Sequence, residues 1–338
     1  MKPARMDQAP LVSNLVGRTT RFSYLFMTGL MILILWLRLT TPLLSILFAY
    51  LALNALYLKR RGGKWLAVLI FLITISAVAY GLGFLVKQTV LALPEIADKA
   101  IPAFITWAKQ YGIELPFTDY DSLKDFAFDT IKSEVHYLGN FAKFARGAST
   151  QLLYLVAGCV VAISLFLSPG FEGKLQTETG RENLYSDYSL EIVARFRTLY
   201  QSFVTVMGAQ IIISAINTFL TAIFIVAVHL PYAGVVIGVT FFCGLLPVVG
   251  NLLSNTVVVA IGFTVSPKMA LGALIFLVCI HKLEYFLNSK IVGWRIRNPF
   301  WLTLLGLIVG ERLLGIPGMI LAPVVLNYVR LEASRFPR

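Results

Sequence analysis

The chain has 338 residues, of which 58% are apolar and only 14% charged, and 29 Lys and Arg against 17 Asp and Glu leave it at +12. A soluble domain carries about 25% charged residues, so the composition excludes an ordinary soluble enzyme and points to a surface facing lipid. The basic excess flanks apolar stretches instead of forming a face of its own, which favours a positive-inside membrane topology over nucleic-acid binding.

The first apolar stretch runs from Phe22 to Leu37 and the second from Pro42 to Leu58, with Arg38-Leu39-Thr40-Thr41-Pro42 between them. As one helix they would reach ~55 Å against a hydrocarbon core of ~30 Å. Two short spans joined by a tight turn are expected, with Arg38 snorkelling to the interface. No small-residue cleavage site follows, so a cleavable signal peptide is not expected. Lys2, Arg5, Arg18 and Arg21 precede the pair and Lys59, Arg60, Arg61 and Lys64 follow it, which puts both ends in the cytoplasm. Residues 1–86 are thus read as a cytoplasmic N-terminus and three spans, the third from Trp65 to Val86.

Residues 87–150 have nearly balanced charge and read as extracytoplasmic amphipathic helices. Ile101, Phe104, Ile105 and Ala108 form one stripe at helical spacing, and Leu123, Phe126, Thr130, Ile131, Leu138, Phe141 and Ala145 form another. The fourth span, Leu152 to Leu167, ends at Ser168-Pro169-Gly170. Within 151–203 an interfacial cytoplasmic helix follows, N-capped by Ser189 and apolar along Ile192, Val193, Phe196, Leu199, Tyr200 and Phe203. Cys159, Cys243 and Cys279 all sit in apolar stretches with no paired spacing, so they read as small core residues and not as disulfide or zinc ligands.

Residues 204–329 repeat one pattern twice, a full span and then a broken apolar stretch. The first span is Val204 to Val228, and its broken stretch, Pro231 to Val265, is interrupted around Gly244–Asn251. The second span is Lys268 to Leu287, and its broken stretch, Phe300 to Val329, is interrupted around Glu311–Gly318. The arms are short for a crossing. Lys290, Arg295 and Arg297 follow the second span, and Arg330, Arg335 and Arg338 follow the second broken stretch, in a tail of residues 330–338. Both places read as cytoplasmic, so the stretch between them would be a re-entrant hairpin. By continuity the first would enter from outside. Inverted repeats with broken helices are a mark of secondary transporters, whose sites lie near the bilayer midplane. The alternative is that each broken stretch is one or two tilted spans.

Polar residues on these elements are the candidate solute or ion pathway. Gln210, Ser214, Asn217 and Thr221 share one helix face, as do His281, Glu284 and Asn288. Pro247, Gly250, Asn251 and Asn255 mark the first break. Glu311, Arg312, Pro317 and Gly318 mark the second. The prolines remove backbone donors, and carbonyls freed by them would be available to a cation or polar ligand. Interhelical hydrogen bonding is the competing account of the Gln210 stripe, and a mutual salt bridge that of Glu311 and Arg312. Gly234-x-x-x-Gly238 and Gly306-x-x-x-Gly310 occupy the first arm of each hairpin, where small residues let backbones approach.

Several of these segments resemble the autoinducer-2 exporter (PerM-like permease) family. Met207-Gly208-Ala209-Gln210 resembles its Gly-Gln pair at the start of the fifth span. Leu245-Leu246-Pro247-Val248-Val249-Gly250 resembles its Pro-x-x-Gly motif, and Leu287-Asn288-Ser289-Lys290-Ile291-Val292-Gly293 its Pro-Lys/Arg-x-x-Gly motif. Gly315-Ile316-Pro317-Gly318-Met319-Ile320-Leu321-Ala322-Pro323 is similar to its Gly-x-x-Gly-Met-x-x-x-Pro ending. Asn288, Ser289, Glu311 and Arg312 depart from the pattern. The resemblance implies membrane transport, with members linked to signal-molecule export or to sodium/proton antiport, and a homo-oligomer.

No phosphate-binding loop, zinc spacing or nucleophile elbow is present. The expectation is therefore an all-α polytopic protein of a bacterial cytoplasmic membrane, with about six full spans, two re-entrant hairpins and both termini cytoplasmic. It is expected to be no enzyme and to need no cofactor, with lipid, a small-molecule solute and Na+ or H+ as partners and no nucleic acid. Three functions stand open: secondary export of a small polar solute, monovalent cation/proton antiport, and a scaffold binding a partner through residues 87–150.

Overall fold

The computed structural model describes residues 9–57, 63–113, 141–168, 184–246, 249–287 and 299–335. Among these residues there are ten helices and no strand. They are α1 (Ala9–Trp36), α2 (Thr40–Leu56), α3 (Gly63–Gln110), α4 (Phe141–Leu167), α5 (Leu184–Ala227), α6 (Ala233–Gly244), α7 (Val249–Val265), α8 (Pro267–Leu287), α9 (Phe300–Leu314) and α10 (Ile316–Ala333). Among the described residues five stretches are long and apolar enough to cross a bilayer: Gly17–Trp36, Gly63–Thr89, Ser149–Leu167, Leu184–Ala227 and Ile316–Ala333. The protein is an all-α polytopic membrane protein. α2, expected as a span, has 17 residues, whereas α10, expected as half of a hairpin, is long enough by itself.

The helix ends follow local chemistry. α1 closes with Leu39 N–H donating to Ile34 O at 2.9 Å and Arg38 N–H to Leu35 O at 3.3 Å, and Arg38 is left-handed at φ 54°. This is the Schellman arrangement, and it makes the tight turn expected between α1 and α2. His229 (φ 53°) closes α5 in the same way, with Leu230 N–H donating to Ile225 O at 3.0 Å. Two expected span limits fall within continuous helices. α3 continues past Val86 to Gln110, because Lys87, Gln88 and Thr89 offer no stop signal. The Lys99–Glu95 pair (2.7 Å, i,i+4) supports its polar half. The interfacial helix is continuous with the fifth span as α5.

The chain divides into two compact units. One comprises Met1–Leu69, Tyr154–Val204 and Asn298–Arg338; the other comprises Ile70–Leu153 and Thr205–Arg297. In the first unit α2 packs through aromatic edges. Phe48 meets Phe203 at 4.9 Å, and Tyr50 meets Tyr200 at 5.0 Å and Phe166 at 6.5 Å. Asn54 Nδ2 donates to Tyr200 Oη at 3.0 Å. Lys64 Nζ reaches Ser168 O and Leu167 O at 3.3 and 3.4 Å, capping carbonyls that α4 leaves open.

At another place in this unit Arg195 is 5% exposed. Its Nη1 lies 2.6 Å from Glu332 Oε2, its Nη2 2.6 Å from Glu191 Oε2, and its Nε 3.3 Å from Ser23 Oγ. The guanidinium stands 4.4 Å from the centre of the Tyr24 ring. A charge buried this deeply is tolerated only when paired and hydrogen-bonded, and here all three guanidinium nitrogens have partners.

In the second unit Ala92, Ile96 and Ala100 of α3 pack with Ile225, Leu230, Val236, Val258, Ile261, Ala273 and Leu277. Phe224 and Phe276 stack at 4.1 Å. α8 packs along α7, where a Cβ on Gly262 would lie 2.8 Å from Ala270 Cα. The second span of the expected repeat therefore shares a unit with the first broken stretch, while α9 and α10 belong to the other unit.

Candidate functional site

The site is built on the break between α6 and α7. Leu245 N–H donates to Phe242 O (3.3 Å) and Leu246 N–H to Cys243 O (2.8 Å). The two remaining terminal carbonyls of α6 are taken by side chains of α5. Gln210 Nε2 donates to Gly244 O at 2.7 Å, and Ser214 Oγ donates to Phe241 O at 2.7 Å. All four carbonyls that a helix end leaves open are thus satisfied. Gln210 and Ser214 thus make the interhelical hydrogen bonds weighed above as the competing account of this stripe. Gly250 allows the bend, because a Cβ there would run into the Cys243 carbonyl.

Farther along the α5 stripe the polar groups enclose space. Asn217, Thr221, Thr240, Ser254, Asn255, Leu277, Ile280 and His281 line a cavity of about 10 Å³, room for one water-sized group. α5, α6, α7 and α8 each contribute. Asn217, Thr221, Thr240 and Ser254 are 4%, 1%, 7% and 3% exposed, and Asn217 Oδ1 and Thr240 Oγ1 are buried without a hydrogen-bond partner. Leaving such atoms unpaired costs about 1–3 kcal/mol each, which a bound donor or a cation would offset. Its polar lining is hydroxyl and amide beside the apolar Leu277 and Ile280, and the exposed His281 is the only titratable group lining it among the described residues.

Of the candidate pathway residues, Asn217, Asn255 and His281 meet at this cavity. Gln210, Ser214 and Gly250 hold the bend. Asn251 and Glu284 lie in α7 and α8, and their side chains fall outside the described residues, as do Pro247 and Asn288 altogether. Thr240 and Ser254 were not singled out from sequence. The available signal was that Thr240 is the only hydroxyl side chain in α6.

The remaining candidates belong to the other unit, at the α9–α10 turn. Gly315, at φ 65° and ψ −148°, is both the end of α9 and the start of α10. Its N–H donates to Glu311 O at 2.7 Å, and its own carbonyl accepts from Gly318 N–H at 3.0 Å and Met319 N–H at 3.1 Å. Pro317 stands in the first turn of α10, where its missing donor costs nothing to that helix. Gly310 and Gly318 touch backbone to backbone, since a Cβ on Gly310 would lie 2.5 Å from Gly318 O. Glu311 and Arg312 are exposed and form no ion pair with one another among the described residues. The small-residue approach expected of both hairpins holds for the second. In the first, Gly238 receives the Leu85 side chain and Gly234 has nothing near it.

Comparison with known proteins agrees with this architecture. The profile described as AI-2E family transporter matches residues 22–330. A protein of Bacillus subtilis (strain 168), "Putative transport protein YdbI", is 32% identical over 123 residues, covering 36% of this chain and 35% of that protein. The alignment thus spans about a third of the relative, whereas the profile spans nearly all of this chain: the chain belongs to the AI-2E transporter family.

Proposed function

We propose that the protein is a secondary transporter that exports a small polar organic solute across a bacterial cytoplasmic membrane, with an ion gradient as its energy source. The observation that carries this reading is the cavity lined by Asn217, Thr221, Thr240, Ser254, Asn255 and His281, with two buried oxygens lacking partners. Neutral hydroxyl and amide groups read hydroxyls and carbonyls of an uncharged solute. At about 10 Å³ the cavity admits one such group, so the solute as a whole is accommodated only after the helices around it separate. That supports alternating access, with the described conformation as an occluded one. Both termini cytoplasmic, two hairpins entering from opposite faces and a homo-oligomeric assembly belong to the same reading.

Monovalent cation/proton antiport is the second reading. A cavity of one-water size walled by neutral oxygens suits a dehydrated monovalent cation, and among the described residues no carboxylate lines it. Glu284 and Glu311 are the ion or proton carriers in this reading, and His281 is the titratable group among the described residues that line the cavity.

Flux from proteoliposomes separates the readings. Loss of solute efflux in Asn217→Leu and Thr240→Val, with the protein still folded and monodisperse, is expected for solute export. Flux of a polyhydroxylated probe unchanged by both substitutions sinks the solute pathway. Na+-driven acidification that vanishes in the same variants moves the assignment to antiport.

A further inference from the structure

We infer that the first unit holds a specific site for one membrane phospholipid whose head carries a hydrogen-bond donor. A groove of about 470 Å³ is lined by Tyr24, Met27, Thr28 and Met31 of α1 and by Val325, Tyr328, Val329, Glu332 and Ala333 of α10. These positions repeat at i, i+3, i+4 and i+7 on each helix, so each presents one continuous face to the groove. The volume lies in the range of small-molecule sites, and most of the wall is aliphatic or thioether. At one end stands the Glu332 carboxylate, 5% exposed, and its hydrogen bonding is lopsided. Oε2 accepts Tyr24 Oη at 2.8 Å and Arg195 Nη1 at 2.6 Å, and Arg335 Nη1 lies 3.5 Å from it. Oε1 is buried with no partner, and so is the hydroxyl of Tyr328, which is 8% exposed.

An apolar groove ending in one bare acceptor and one bare hydroxyl fits an acyl chain with an N–H or O–H donor at its head. The occupant is a lipid because α1 and α10 are both long and apolar enough to stand in the bilayer. Leu25, Phe26 and Val329 on the same two helices are 73%, 41% and 56% exposed, an apolar surface suited to acyl chains. The charges agree. Arg195 and Arg335 balance Glu191 and Glu332, leaving the exposed Arg21, one turn before Tyr24 on the same side of α1, for a phosphate. In this arrangement the donor reaches Glu332 Oε1 and the Tyr328 hydroxyl donates to a phosphate oxygen.

The test uses the full chain, stripped of lipid in detergent and titrated with phosphatidylethanolamine, phosphatidylglycerol or phosphatidylcholine of identical acyl chains. Retained lipid is read by native mass spectrometry. The ethanolamine and glycerol lipids should be held about tenfold more tightly than the choline lipid, the worth of one good hydrogen bond. Tyr328→Phe should weaken all three by several-fold, and Val325→Trp should abolish retention by filling the groove. Glu332→Gln breaks the Arg195 pair and risks misfolding, so Tyr328→Phe and Val325→Trp carry the decision. Equal retention of the three lipids, or retention indifferent to both variants, overturns the site in favour of non-specific solvation. A drop in oligomeric mass on Val325→Trp with lipid retention unchanged overturns it in favour of a second copy of the chain.

Discussion

The two broken stretches solve one problem by different means. Each must end a short apolar helix, start another, and find donors for the carbonyls that a helix end leaves open. The α9–α10 turn is made within the backbone: Gly315 reverses the chain, its N–H donates to Glu311 O, its carbonyl accepts from Gly318 and Met319 N–H, and Gly310 meets Gly318 directly. The α6–α7 break borrows from outside, since two of the four carbonyls at the end of α6 depend on Gln210 and Ser214 of α5. A borrowed break changes when its lender moves. The polar cavity lies beside the borrowed one, where a conformational change would have the most to act on.

The largest expected effects test the close approaches. Gly250→Ala drives a methyl into the Cys243 carbonyl, and backbone cannot yield as a side chain can. A loss of about 3 kcal/mol or more is expected in denaturant unfolding, with Gly318→Ala similar and Gly234→Ala nearly silent. A large loss at Gly234 would mean that the first arm of the first broken stretch is as closely approached as that of the second. Next comes Gly315→Ala, which strains a conformation that L residues rarely adopt, at about 1–3 kcal/mol.

Gln210→Leu strips Gly244 O of its donor and should cost about 1–3 kcal/mol, and Ser214→Ala nearer 1 kcal/mol. A double-mutant cycle would sharpen the comparison, because coupling between the two is expected if they hold one helix end together. Glu311→Gln and Arg312→Gln should change stability by less than about 0.5 kcal/mol, both being exposed and not paired with each other. Larger losses would mean that the second turn also leans on side chains.

The smallest effect is one of pH. Lys99, and after it Tyr232 at the start of α6, hold the Glu95 carboxyl below its usual range. A depressed carboxyl contributes stability that is complete above its unfolded pKa and lost as pH falls through the folded one. Glu95→Gln should remove a slight acid sensitivity that the wild type shows below about pH 4.5. An unchanged acid profile would mean that Glu95 adds nothing to the start of α6.

Much of this was legible in the sequence for reasons that are local. Arg38 between two apolar runs marked the turn that a Schellman motif makes. Gly315-Ile316-Pro317 marked the break after α9, since glycine ends helices and proline begins them. The spacing of Gln210, Ser214, Asn217 and Thr221 placed four polar groups on one face of α5, and all four face the α6–α7 region. What was not legible depends on partners distant in sequence. That Gln210 and Ser214 serve carbonyls while Asn217 and Thr221 line a cavity is decided by where α6 ends against α5. Thr240 is unremarkable until α5, α7 and α8 close around it. Glu332 read as part of a basic tail because nothing in its neighbourhood announced that Arg195, 137 residues earlier, would meet it. The packing of α8 along α7 is equally non-local, and it divides the expected repeat between the two units.

The borrowed carbonyls set a condition on any movement of the first hairpin. If α6 slides or rotates away from α5, Gly244 O and Phe241 O lose their donors, at about 1–3 kcal/mol each until another donor reaches them. The displacement therefore becomes cheap only when hydration follows the helix end into the gap, so that wetting and motion are one event. Such a hinge would be sensitive to osmotic pressure and to heavy water, and it would stay shut against a dry surround.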